Sequence, residues 1–137
     1  MKTKTLAAAA LALCLPWAGA VAAAAPEVTP ALLEKGKASF TTNCVPCHGE
    51  NGDGTGVAAA ALNPKPRNFK TDPFKNGNTP DKVFATLTSG LPGTAMAPFA
   101  HLPEEERWAV VHYVLKTFVK PVAAPAAGKK AGKGKTK

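Results

Sequence analysis

The sequence is poor in the residues that usually announce a catalytic centre or a large core. Aromatic residues make up only 7% of the chain, with a single tyrosine, and there are two methionines and three cysteines. Acidic residues are scarce too: nine Asp and Glu stand against 17 Lys and Arg, for a formal net charge of +8. No stretch alternates apolar and polar residues well enough to read as a strand, which removes the βαβ context that nucleotide-binding and thioredoxin-like folds need. Four glycines fall within Gly49–Gly56, but no Gly-Lys-Ser/Thr follows them, so the segment is a loop and not a phosphate cradle. Glu50 and Asp53 within it supply too few ligands for calcium. No nucleophile is set beside a base for catalysis.

What is present is unevenly placed. Between Pro26 and Lys120 there are ten Lys and Arg and nine Asp and Glu, so the body of the chain is nearly neutral. The excess charge comes from Lys2 and Lys4 and from five lysines after Lys120. Residues 1–20 have the anatomy of a secretory signal: a basic start, an apolar run over Leu6–Leu15, Pro16, and Ala18-Gly19-Ala20 for a cut after Ala20, with cuts after Ala22 or Ala24 as alternatives. Cys14 invites a lipoprotein reading, but Leu13 stands where a small residue is needed. Leu6–Ala25 is uncharged and long enough to span a bilayer if left uncleaved. Either way export, and a periplasmic location, is expected. Residues 121–137 are almost wholly Ala, Pro, Gly, Lys and Thr, with nothing to bury, and read as a disordered tail. That leaves residues 27–120 as one small domain, marginal unless something besides side chains fills its core.

The most specific pattern is Cys44-Val45-Pro46-Cys47-His48. Two cysteines three positions apart, followed by a histidine, are spaced to bond the two vinyl groups of a haem and to bring an imidazole to its iron. A dithiol redox couple would expect strands beside it. Zinc would expect about four ligands, and only His101 and His112 remain. A plain disulfide leaves His48 unexplained.

The rest of the domain reads as helices joined by loops. Thr29-Pro30 predicts the cap and first position of a helix whose face is Leu33, Gly36 and Phe40 and which runs into the Cys44–His48 turn. Glycine inside a helix costs about 1 kcal/mol against alanine, so Gly36 implies close approach of another backbone. Val57–Leu62 suggests a helical turn or two, and Asn63–Phe69, with Pro64 and Pro66, extended chain. Thr79-Pro80-Asp81 opens a second helix with Val83, Phe84 and Leu87 inward and Gly90 at its end. Leu91–Ala100 is a loop carrying Met96. Pro103 and Glu104-Glu105-Glu106 open the last helix, whose apolar line is Trp108, Val111, Leu115 and Phe118, widened by Val110 and Val114. His101 and His112 are expected as ordinary surface or half-buried histidines rather than iron ligands.

With these features in place the chain resembles the class I monohaem cytochromes c, from about Leu33 to Phe118. The resemblance implies an all-α fold, with the N- and C-terminal helices packed across each other around one covalent haem c. It implies thioether links at Cys44 and Cys47, and His48 and Met96 as iron ligands. Gly36 and Phe40 would pack on the last helix near Val110 and Tyr113. It further implies a proline carbonyl, that of Pro66 or failing that Pro64, accepting from His48. Thr94 and Arg67 would approach the haem propionates. A thioether ligand favours ferrous iron and raises the potential, which agrees with a lone methionine in a loop bounded by Gly93 and Pro98.

The expected function is electron transfer, not catalysis: a monomeric exported carrier, or the same domain as a subunit of a larger oxidase or dehydrogenase. The partner would be a redox protein or respiratory complex with an acidic face, steered by Lys65, Arg67, Lys70 and Lys75. The lysine-rich tail could also meet an anionic membrane surface. Nucleic acid is not expected as a partner. A peroxidase-like enzyme and a thiol–disulfide oxidoreductase are the remaining alternatives.

Overall fold

The first helix, α1 (Pro30–Asn43), starts where the Thr29 side chain accepts a hydrogen bond from the Leu32 amide at 3.1 Å, with Pro30 needing no such partner. In this computed structural model, which describes residues 25–120, α1 passes directly into the short helix α2 (Val45–His48). A 3-10 turn over Ala59–Ala61 follows, then α3 (Pro80–Ser89) and α4 (Glu104–Thr117). Among the described residues there is no strand, and no helix long and apolar enough to cross a membrane. The signal-like residues 1–20, Cys14 and the tail 121–137 lie outside the described residues.

The fold is held by α1 crossing α4. The buried face of α1 is Leu32, Gly36, Ser39 and Phe40; Gly36 and Phe40 are as expected, while Leu33 is only half-buried and Leu32 takes its place. Gly36 meets the backbone of Ala109, and a methyl group there would also lie 2.8 Å from Tyr113 Cβ. The close approach anticipated from Gly36 therefore exists, with Tyr113 a partner as expected but Ala109 in place of Val110, which turns away to line the central cavity. Phe40, one turn beyond Gly36, packs its ring 5.4 Å from both Tyr113 and Phe118. Lys35 and Glu105 add an exposed ion pair at 3.0 Å, worth little against this packing.

α3 docks on the other flank of α4. Phe84 stacks on Trp108 at 4.0 Å, and Leu87 is buried. Thr79 is the N-cap residue of α3, but its hydroxyl makes no capping bond; it bonds the Asp81 carboxylate and holds that group below the usual range. α3 ends at Gly90, whose φ of 72° an L side chain rarely adopts.

Replacing Gly36 by alanine should cost about 1–3 kcal/mol, because the added carbon must displace the Ala109 backbone and cannot simply move a flexible neighbour. Denaturant unfolding of the Gly36→Ala protein, with an unchanged midpoint as the contrary result, checks this.

Candidate haem site

A cavity of about 580 Å³ opens between the crossed helices and the long loops, within the size range of cofactor sites. Its walls come from every part of the fold: Phe40 and Cys44 at the end of α1, Cys47 and His48 from α2, Phe69 and Phe74 from the connecting loops, Leu87 from α3, Met96 from the loop before α4, and Val110, Val111 and Val114 from α4. Phe40 and Val111 are the most deeply buried large side chains of the domain and sit at its base.

The two cysteines are free thiols, Cys44 buried and Cys47 half-exposed. Burial, reinforced by Cys47, pushes the Cys44 thiol up to about 12. A group so far from ionising at neutral pH is a poor thiol–disulfide nucleophile. Among the described residues no three His, Cys, Asp or Glu side chains gather as a metal cage.

His48 is held from two sides. Its Nδ1–H donates to a backbone carbonyl at 3.2 Å, and its ring stacks on Phe69 at 4.5 Å between centroids, 20° from parallel. The carbonyl is that of Arg67. Pro66, expected as the acceptor, and Pro64 both line the cavity, but the Pro66 oxygen lies close against Gly54. The extended segment is fixed across the ring by Phe69 N–H donating to Gly52 O at 2.8 Å, and that register brings Arg67 to the imidazole. Burial lowers the His48 pKa, so the imidazole is neutral at pH 7, and Nδ1 as the donor leaves Nε2 with a free lone pair.

Met96 is held by its loop. Its amide donates to Thr94 Oγ1 at 3.1 Å, its carbonyl accepts from Leu91 N at 3.0 Å, and Thr94 gives its own hydroxyl proton to Leu91 O at 2.7 Å. Thr94 lines the cavity as expected, but its one proton is committed to this turn. Arg67 also lines it, with its guanidinium 5.0 Å from the centre of the Phe74 ring. Of the four expected basic residues, Lys65, Arg67 and Lys75 line the cavity and Lys70 does not. Lys65 is drawn back by the carbonyls of Ala59 and Ala60 at 3.2 and 3.3 Å.

The residues present fit a haem. The cavity has apolar walls, two unpaired thiols on one turn, a neutral imidazole with one nitrogen already engaged, and a thioether from a distant loop. The chain belongs to the cytochrome c family. The family model for cytochrome c matches residues 33–118. A chain of the Kuenenia stuttgartiensis reducing HAO-like protein complex is 39% identical with a TM-score of 0.55, over 68% of this chain and 43% of that one. Cytochrome CL of Methylophaga aminisulfidivorans shares the fold at 20% identity and a TM-score of 0.52, over 64% of this chain and 56% of that one. This chain therefore spans about half the length of these two relatives. A search of curated proteins gives no match. Membership in the family implies a covalently bound haem c.

The other histidines fall away from the cavity. His101 is exposed beside Phe99. His112 is buried, contrary to expectation, because it follows Trp108 by one turn on the same face of α4 and stacks against it at 5.9 Å. His112 Nε2 and Trp108 Nε1 are both buried without a hydrogen-bond partner.

Burial, with Lys116 nearby, holds the His112 pKa below its ordinary 6.5. The unfolded chain therefore binds this proton more readily than the folded one, and stability falls as pH drops from about 6.5 toward the folded value. Urea unfolding between pH 5 and 7.5 should show that fall in the native protein. His112→Leu should flatten it, with little loss at pH 7.5 because an unsatisfied nitrogen is removed; equal slopes in the two proteins would refute the assignment.

Proposed function

We propose that this protein is an exported carrier that passes one electron at a time between redox partners through a haem with histidine and methionine axial ligands. The observation that carries the reading is the single cavity lined by Cys44, Cys47, His48 and Met96, with His48 Nδ1 already donated to Arg67 O. Cys44 and Cys47 would form the thioether links, and His48 Nε2 and the Met96 sulfur would hold the iron. The haem supplies a centre that gains and loses one electron reversibly.

The chain's own residues do the rest. The Arg67 carbonyl fixes the tautomer and direction of His48 and strengthens it as a donor. The Thr94 turn presents Met96. Phe40, Leu87, Val110, Val111 and Val114 keep water from the inner part of the cavity and lower its dielectric. The neutral thioether, and the dry surroundings, favour the ferrous state. If His48 and Met96 both held the iron, no open site would be left for a substrate, which would weigh against a peroxidase-like activity; the burial of the Cys44 thiol, which raises its pKa, weighs against thiol–disulfide exchange.

Docking would be brief, through the lip of the cavity where Lys65, Arg67 and Lys75 outnumber Asp72, so the fitting partner presents an acidic face. The signal-like residues 1–20 support a periplasmic location, and the lysine-rich end supports weak attraction to anionic lipid or to the same acidic partner. A second reading, a subunit of a larger redox complex, is favoured by one observation: the relative at 39% identity is itself part of a complex. Size-exclusion of the protein from its native host separates a monomeric carrier from a subunit.

Mature protein should carry the mass of a haem bonded to the polypeptide, lost when Cys44 and Cys47 are both replaced by alanine. Met96→Ala should abolish the near-infrared sulfur-to-iron band of the ferric form and lower the midpoint potential by roughly 0.1–0.2 V, a fraction of the ~0.8 V that axial ligation spans. A Met96→Ala protein with native band and potential would dismiss the ligation.

A further inference from the structure

Met96 lies in the stretch of residues 90–103, which joins α3 to α4 and has few backbone bonds. Within it the Thr94 turn is closed, and Phe99 N donates to Leu87 O at 3.0 Å. Across its two ends stands one side chain. Arg107, one turn into α4, donates from Nη1 to Thr88 Oγ1 at 2.5 Å and from Nε to Leu102 O at 3.2 Å. Thr88 belongs to the last turn of α3, just ahead of the loop, and Leu102 is near the loop's far end. The guanidinium also lies 4.8 Å from the centre of Phe84, which is stacked on Trp108.

We infer that Arg107 is a positioning residue for Met96: it clasps the two ends of the methionine loop to α4, and so sets how readily the methionine is displaced from the iron. The planar fork is what permits it, since two nitrogens of one rigid group reach acceptors on different segments while its face rests on a ring. Lysine, with one ammonium, cannot hold both acceptors in that arrangement. Arg107 is half-buried, so its bonds are partly shielded from water, and they tether the loop at the root of α4, the helix that α1 pins through Gly36. The inference rests on the reading of Met96 as an iron ligand, and the experiment separates the two.

The test uses the mature haem protein and five variants: Arg107→Gln, Arg107→Lys, Thr88→Val, Met96→Ala and the double variant Thr88→Val with Arg107→Gln. Binding of imidazole to the ferric form, which competes with Met96, is followed by loss of the sulfur-to-iron band. Arg107→Gln should raise imidazole affinity about tenfold, the scale of losing charge-assisted hydrogen bonds. Arg107→Lys should recover only part of that, and Thr88→Val should give a smaller rise. The double variant Thr88→Val with Arg107→Gln should match Arg107→Gln alone, because the two remove one interaction. Hydrogen exchange of the Leu91, Met96 and Phe99 amides should quicken in Arg107→Gln while that of Cys44, which caps α1, does not.

A lower unfolding midpoint with unchanged imidazole affinity and unchanged loop exchange would make Arg107 merely structural and overturn the inference. If Arg107→Gln does not accumulate, Thr88→Val decides the matter on the same two readouts. If Met96→Ala keeps the native band, the ligation reading has failed and the inference falls with it; faster loop exchange in Arg107→Gln would then show a clasp without a ligand to position.

Discussion

Everything in this domain is referred to the point where Gly36 lies against the backbone of Ala109. A glycine in mid-helix is a cost to α1 taken alone. It is recovered because the two helices can approach to backbone contact, which no side chain at that position would allow. The crossing then fixes the rest by helical spacing. Phe40 and Cys44 follow Gly36 at intervals of one turn, so the same face of α1 that meets α4 delivers a phenylalanine and then a cysteine to the cavity. On α4, Ala109 and Tyr113 face α1, which leaves Val110, Val111 and Val114 for the cavity and Trp108 with His112 for the flank toward α3.

From that frame the two candidate iron ligands are placed by quite different means. His48 is on a helical turn contiguous with α1, and its ring is braced by Arg67 O and Phe69. Its position is inherited from the helix crossing with little freedom left. Met96 is in a loop whose shape depends on two side chains: Thr94 closes the turn within the loop, and Arg107 joins the loop's ends to α4. A local opening of the molecule would therefore release the methionine long before the histidine, since loops with few buried contacts open at lower free energy than helices in the core.

Much of this was legible in the sequence, and the limits of that legibility are physical. Thr29-Pro30, Pro80 and the three glutamates before Arg107 mark helix starts because capping is a local interaction. Cys44-Val45-Pro46-Cys47-His48 marks the site because attachment chemistry demands that spacing. Spacing names a face, though, and not the neighbour that the face meets. So the α1 stripe read as Leu33, Gly36 and Phe40 holds at its last two members while Leu32 is buried in place of Leu33, and of the two partners read for Gly36, Tyr113 holds while Ala109 stands in place of Val110. The acceptor for His48 was read at Pro66, one residue short, because the register of an extended loop is set by a distant bond, Phe69 N to Gly52 O. His112 was expected to be exposed or half-buried because histidine usually is, while its place one turn from Trp108 was the signal that it would be buried. Arg107 carried no signal at all: its partners lie 19 and five residues earlier in the chain and depend on the loop's path.

The size of the cavity explains why the haem has to be counted as core. Lost packing costs about 24 cal/mol for each Å³ of cavity in a rigid interior. At that rate 580 Å³ corresponds to about 14 kcal/mol, an upper bound because this cavity opens to solvent on one side. Half of it, about 7 kcal/mol, is already comparable with the 5–15 kcal/mol by which small domains are usually stable. The low aromatic content, the valines of α4 and the mid-helix glycine are then parts of one arrangement. The side chains are chosen to surround a large flat group and not to fill the centre themselves. Bonding that group through Cys44 and Cys47 would make its contribution to folding permanent in every redox state, where a dissociable cofactor would stabilise the fold only as far as its concentration allowed.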